Sequence, residues 1–212
     1  MTTPNSEVPF VFSVDLDGVV FDYEQAMRLF VSQTRGIDPS ELPVMTSWSF
    51  ANSGWPFETD DEFLETHAQA VVEGGLFLTM RPYPQVSEAL WRLSDAGIHI
   101  RITTARLTKN GTHAAAIADT VRSLDNHNIP FRDLLFTKFK DHALSGVAAD
   151  APARVLHIDD SPSQLAALQA AGVPTIVMDQ PYNQDVPGPR ARSWAEVEQL
   201  VCERAGVAAP AA

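Results

Sequence analysis

From residue 85 onward the chain repeats one unit, a segment of helical periodicity followed by a short apolar, β-branched run. Helical spacing over residues 85–96, 114–127, 141–148 and 163–170 alternates with apolar runs over 98–103, 134–136, 155–158 and 175–178. Few architectures bury both kinds of element at such short intervals, and the pattern predicts an α/β fold built on a doubly wound parallel sheet. An earlier run, PFVFSV at residues 9–14, is apolar and aromatic and stops abruptly at Asp15, as a strand covered on both faces does. At 212 residues there is material for one substantial core and a small second module.

Between the first run and the repeating units the pattern changes. Residues 23–33 have helical spacing and are stopped by Gly36 and Pro39, and residues 60–72 regain it before Gly74-Gly75. The stretch between them lacks periodicity but gathers Trp48, Phe50, Trp55 and Phe57 among Ser, Asn, Gly and Pro. Residues 179–192 read as a Pro-, Asn- and Gly-rich connection to a last helix that starts near Ser193, with Trp194, Val197 and Leu200 on one face. The small-residue end, 205–212, is expected to fray.

A formal net charge of -12 argues against a surface that tracks a nucleic acid polymer, yet leaves room for a small anion held in a locally positive pocket. Cys202 is the single cysteine, which rules out an internal disulfide and a thiolate metal cluster. Residues 1–8 lack the basic and apolar regions of a signal peptide, and no apolar run approaches a membrane span. The expectation is a cytoplasmic protein with no membrane partner; its oligomeric state is left open.

Ligands of open α/β sheets bind beyond the carboxyl ends of the strands, so the polar residues there are the ones to inspect. Asp15 and Asp17 flank Leu16, which in extended backbone puts both carboxylates on one side, and Gly18 permits a sharp exit. Asp159 and Asp160 follow the run at 155–158. Two acidic pairs without a basic neighbour in either local sequence would repel unless a divalent cation lay between them, and oxygen-only ligands favour magnesium. A hydroxyl and an ammonium at the other strand ends would complement a phosphate. Thr104, with Thr103 as the fallback, and Lys140 or Lys138 are the candidates, and Arg106 is a weaker one. The six histidines show no ligand spacing and read as ordinary surface or core residues.

These motifs, in this order, resemble the haloacid dehalogenase superfamily, and within it the 5'-deoxyribonucleotidase group (5' nucleotidase, deoxy, type C). The stretches that carry the likeness are DLDGVVFDYE at 15–24, Gly74-Gly75-Leu76-Phe77-Leu78, a lysine at 140 and Ile158-Asp159-Asp160. The resemblance implies that Asp15 attacks phosphorus to form an aspartyl-phosphate, and that Asp17 protonates the leaving oxygen and then activates water. It implies magnesium held by Asp15, the Asp17 main-chain carbonyl and Asp159, with Asp160 in support, and a phosphate held by Thr104 and Lys140.

The resemblance further implies a helical cap at 21–80 over a core at 9–20 and 81–204, where Phe21, Trp48 and Phe77, with Phe50, Trp55 and Phe57, could meet a nucleobase. The alternative for those aromatics is the cap's own core. Two departures stand out: the gap from Lys140 to Asp159 is longer than the family's, which keeps Lys138 as the alternative, and Thr104 is followed by Ala105-Arg106 where the family carries Ser-Pro. The implied substrate is a small phosphorylated molecule, a nucleoside or deoxynucleoside 5'-monophosphate. A sugar phosphate, or a non-catalytic binding module on the same fold, are the rivals.

Overall fold

The computed structural model describes residues 9–106 and 113–208. Six strands form one parallel sheet: β1 (Val11–Val14), β2 (His99–Thr104), β3 (Asp133–Phe136), β4 (Val155–Asp159), β5 (Thr175–Met178) and β6 (Arg190–Ala191). Their spatial order is β3-β2-β1-β4-β5-β6, so the chain winds outward from β1 in one direction and then returns beside it to wind in the other. β1, β4 and β5 are buried at every position, which is why they read as continuous apolar runs and not as alternation.

Helices cover both faces. α4 (Val86–Asp95) buries Val86, Ala89, Leu90 and Leu93, a helical stripe, and packs beside α8 (Trp194–Ala205), which buries Trp194, Val197, Val201 and Cys202. Arg92 and Glu198 join the pair with two hydrogen bonds of 2.7 Å. On the other face α6 (Lys140–Asp150) and α7 (Pro162–Ala170) close a smaller cluster of Leu144, Ala148 and Leu168 on Val11 and Val155. α5 (His113–Asn126) bridges β2 and β3.

The segment after β1 contains α1 (Tyr23–Arg35), α2 (Asp60–Val72) and the single turn α3 (Leu76–Thr79). Asp22 caps α1 by accepting from the Gln25 amide, and Gly36, at φ 67°, ends it in the left-handed conformation. α2 starts at the Thr59 cap with Asp60, Asp61 and Glu62 in its first turn, where the helix dipole favours acids. The aromatic loop between them folds on itself. Phe50 stacks on Phe63 at 4.3 Å and meets Trp55 edge-on at 4.6 Å, while Arg28 and Arg35 lie over Trp55 and Phe57.

The expected elements occur within about two residues of their predicted bounds, a fraying typical of element ends. α3 and β6 have no sequence signature, because four and two residues are too few to display a period. The last helix runs to Ala205, and residues 209–212 of the expected frayed end lie outside the described residues. Among the described residues no helix is long and apolar enough to cross a membrane.

Candidate active site

β1 and β4 are neighbours at the point where the winding reverses, so the acids that follow them share one crevice. The Asp15 amide donates to the Ile158 carbonyl at 3.1 Å, which continues the strand pairing one residue past β1. Leu16 then turns fully into the core, and its carbonyl accepts from the Val19, Val20 and Phe21 amides in a tight turn. Gly18 takes φ 76°, and a Cβ there would stand 2.1 Å from Asp160 Oδ2. Both the backbone conformation and the close approach require glycine.

The carboxylates of Asp15, Asp159 and Asp160 are buried and offer oxygens within 4.8 Å of one another. Lys140, the first residue of α6, reaches into the cluster and places Nζ 2.6 Å from Asp15 Oδ1 and 2.7 Å from Asp159 Oδ2. Burial pushes the Asp15 carboxyl up to about 7 despite the opposing Lys140 charge. Burial and the neighbouring carboxylates of Asp159 and Asp15 hold Asp160 well above its usual value. For Asp159 burial acts upward, but Lys140 and His157 outweigh it and hold the carboxyl low. Lys140 itself is raised, because Asp15 and Asp159 overcome the cost of burying its charge.

A polar chain runs beneath this floor. His157 Nε2 lies 3.0 Å from Asp159 Oδ2, and its Nδ1 lies 2.8 Å from Ser13 Oγ, which in turn meets Thr103 Oγ1 at 2.9 Å. Burial lowers the His157 pKa and favours the neutral ring, so Nε2–H donates to the carboxylate and Nδ1 accepts from the Ser13 hydroxyl. The connection after β5 supports the other acid. Tyr182 donates its hydroxyl to Asp160 Oδ2, and Asn183 Nδ2 donates to the Asp160 and Met178 carbonyls at 2.8 Å each.

Several of the expected site residues converge here and others do not. Asp15, Lys140, Asp159 and Asp160 form the floor, whereas Lys138 points outward with its ammonium 5.0 Å from the Phe139 ring centroid. The Asp17 carboxylate stands apart from the acid cluster and pairs with Arg106 at 2.6 Å. Thr104 is buried, with its hydroxyl accepting from the Arg106 amide at 3.4 Å, and it does not line the cavity; Thr103 faces the chain beneath the floor.

Above the floor opens a cavity of about 950 Å³, at the upper end of the range of roughly 300–1,000 Å³ usual for small-molecule sites. Its apolar wall includes Val44, Met45, Trp48, Phe63, Leu64 and Phe77. Trp48 is half exposed and meets the edge of Tyr182 at 5.5 Å. Phe50 and Phe77 each present part of a buried ring, but Phe21, Trp55 and Phe57 lie off the cavity. Tyr23 Oη and His67 Nδ1 form a 2.9 Å hydrogen bond on the wall, and burial lowers the His67 pKa, so it is the neutral imidazole that the cavity meets.

The sequence alone assigns no role to His157, Tyr182 or Asn183. The one legible signal is that His157 precedes Asp159 by two residues in a strand, which puts both side chains on one face.

The family described as "5' nucleotidase, deoxy (Pyrimidine), cytosolic type C protein" matches residues 9–207. The chain is 37% identical over 201 residues to a protein of Chlorobaculum tepidum named "Putative 5'(3')-deoxyribonucleotidase", with 94% of this chain and 93% of the relative covered. Among solved structures, it is similar to a HAD family hydrolase from Deinococcus radiodurans with bound phosphate and sodium (TM-score 0.62, 19% identity, 96% and 99% of the two chains). It is also similar to a predicted phosphoglycolate phosphatase from Haemophilus somnus (TM-score 0.59, 18% identity, 91% and 97%). At these identities the two structures speak for the fold alone. The acid cluster at the reversal point of the sheet and the family match over nearly the whole chain lead to one assignment: the protein is a phosphatase and belongs to the cytosolic type C 5'-deoxyribonucleotidase family.

Proposed function

We propose that this phosphatase is a magnesium-dependent hydrolase of nucleoside or deoxynucleoside 5'-monophosphates that works through an aspartyl-phosphate on Asp15. The observation that carries the reading is the meeting of a charged floor with an apolar, aromatic wall in one cavity. The floor suits a phosphate and the wall suits a nucleobase.

In this reading Asp15 attacks phosphorus through a carboxylate oxygen while the bond from phosphorus to the nucleoside oxygen breaks. Asp17 gives that oxygen its proton, then takes one from water as the water attacks the phosphorylated Asp15, and phosphate leaves with Asp15 restored. Lys140 stays between Asp15 and Asp159 and offsets charge on the nucleophile and the phosphate. His157 keeps the Asp159 carboxylate in one orientation.

The donor set fits magnesium. Asp15, Asp159 and Asp160 are oxygen ligands only, and with Asp17 they make four carboxylates against two cations, Lys140 and Arg106. When bound, magnesium would neutralise charge on the phosphate and on these carboxylates. Residues 21–80 would act as the cap: α1, α2 and the aromatic loop close the cavity on the side away from the sheet and exclude water.

The test is phosphate release from a panel of nucleoside monophosphates, deoxynucleoside monophosphates and sugar phosphates, with magnesium, for the wild type and Asp15→Asn. The reading expects turnover of nucleotides that Asp15→Asn lowers by at least about 10³-fold. Preferred turnover of sugar phosphates would overturn the substrate, and a fully active Asp15→Asn would overturn the mechanism.

A further inference from the structure

Arg106 follows the end of β2 by two residues, and its side chain is 0% exposed although it stands on the cavity wall. All three guanidinium nitrogens are engaged by the protein. Nε lies 3.1 Å from both Asp17 oxygens, Nη2 lies 2.6 Å from Asp17 Oδ1 and 3.9 Å from Met80 Sδ, and Nη1 donates to Thr120 Oγ1 at 3.2 Å. The ring of Phe77 lies with its centroid 4.3 Å from the guanidinium carbon and that of Phe21 at 5.2 Å. Both rings are buried, so the guanidinium plane is held from several sides.

Asp17 is held by little else. Its side chain is 28% exposed, and among the described residues Arg106 is the one hydrogen-bonding partner of its carboxylate. A short acid on a turn has two free torsions, yet a proton donor must come within about 2.6–3.2 Å of the leaving oxygen. A guanidinium fork fixes both the position and the plane of a carboxylate.

We propose that Arg106 is a positioning residue for proton transfer: it acts on the substrate through Asp17 and is not itself a phosphate ligand. Nη2 donates to Asp17 Oδ1 at 2.6 Å while the single Nε–H is shared between both oxygens at 3.1 Å, so Oδ2 is the less engaged oxygen and the one that carries the proton to the leaving oxygen and takes one back from water. Phe77 and Met80, from the segment after β1, and Thr120, from α5, fix the guanidinium and thereby the acid. The inference rests on Asp17 being the acid and base of the proposed reaction.

The experiment compares Arg106→Met, Arg106→Lys and Asp17→Asn on a nucleotide, whose alkoxide leaving group needs a proton, and on p-nitrophenyl phosphate, whose leaving group does not. Steady-state kcat and KM are measured on the nucleotide, and first-turnover nitrophenolate release on the aryl ester. Arg106→Met is expected to lower kcat on the nucleotide by about 10²-fold, with KM within about threefold, while keeping the nitrophenolate burst within about threefold. Arg106→Lys keeps the charge without the fork and is expected to recover less than about a tenth of the lost kcat.

A tenfold rise in KM with kcat kept would make Arg106 a phosphate ligand and overturn the proposal, and so would an equal loss on both substrates. If Asp17→Asn shows the leaving-group contrast and Arg106→Met does not, the inference fails alone. If Asp17→Asn shows no contrast, the reading of Asp17 fails first. Should Arg106→Met not fold, as judged by thermal denaturation, Arg106→Lys takes its place: a leaving-group contrast in that variant supports the proposal, and an equal loss on both substrates overturns it.

Discussion

The floor of the cavity and its wall are built from opposite materials. On the floor, Asp15, Lys140, Asp159 and Asp160 are all at most 6% exposed, and each is tied to a partner: Lys140 to two acids, Asp159 to His157, Asp160 to Tyr182. On the wall, Val44, Trp48 and Leu64 are more than half exposed and apolar, with few polar ties. Charge taken out of water is costly unless paired, so no floor position can change alone, whereas an exposed apolar side chain can be exchanged at small cost. In the proposed reading the floor constrains the chemistry and the wall the choice of substrate.

That contrast can be broken most forcefully at Lys140. Lys140→Met leaves Asp15 and Asp159 buried without their cation, and is expected to cost about 3–5 kcal/mol of stability together with at least about 10³-fold in phosphate release. Chemical denaturation and a phosphate assay check both; a stable, active variant would show that the floor tolerates single changes after all.

Removal of divalent cations with a chelator is expected to abolish turnover, with recovery on adding magnesium. Activity that survives exhaustive chelation would separate the acid cluster from the chemistry. Trp55→Ala comes next. Trp55 is 3% exposed and off the cavity, so the loss should appear as about 3–5 kcal/mol of stability while KM of the remaining folded enzyme stays within about twofold.

Trp48→Ala should do the reverse. Trp48 lines the cavity at 52% exposure, and the expected result is a rise of about tenfold in KM for a nucleotide with unfolding shifted by less than about 0.5 kcal/mol. An unchanged KM would remove the wall from base recognition. Smallest of all is Lys138→Ala, whose ammonium points out of the site; kcat and KM should both stay within about twofold, and a large loss would mean that Lys138, and not Lys140, serves the phosphate.

Sequence patterns carry the sheet well because a strand buried on both faces and stopped by an acid is a local signal. The pairs Asp15/Asp17 and Asp159/Asp160 are legible for the same reason. Lys140 and Lys138 cannot be told apart in the sequence, since the distinction depends on where α6 begins and which way its first side chain projects. Trp48 and Trp55 share one loop and one composition, and only the packing of Phe50, Phe57 and Phe63 decides that Trp55 goes inside. Arg106 stands out as a departure from the family pattern, but its partner, 89 residues earlier, is set by the β1–β2 pairing and by no local motif. Tyr182 enters from beyond β5 by the same long-range route.

Tyr182 touches both halves of the contrast at once: its hydroxyl holds Asp160 on the floor, and its ring meets Trp48 on the wall. One rigid side chain is thus a strut between the part that would select a substrate and the part that would hold the ion. In the proposed reading, Val44 and Leu64 could be exchanged for a new specificity with little effect on the floor, but a redesign that shifts Trp48 would also tilt the strut, and a change made for recognition would then arrive as a change in metal affinity.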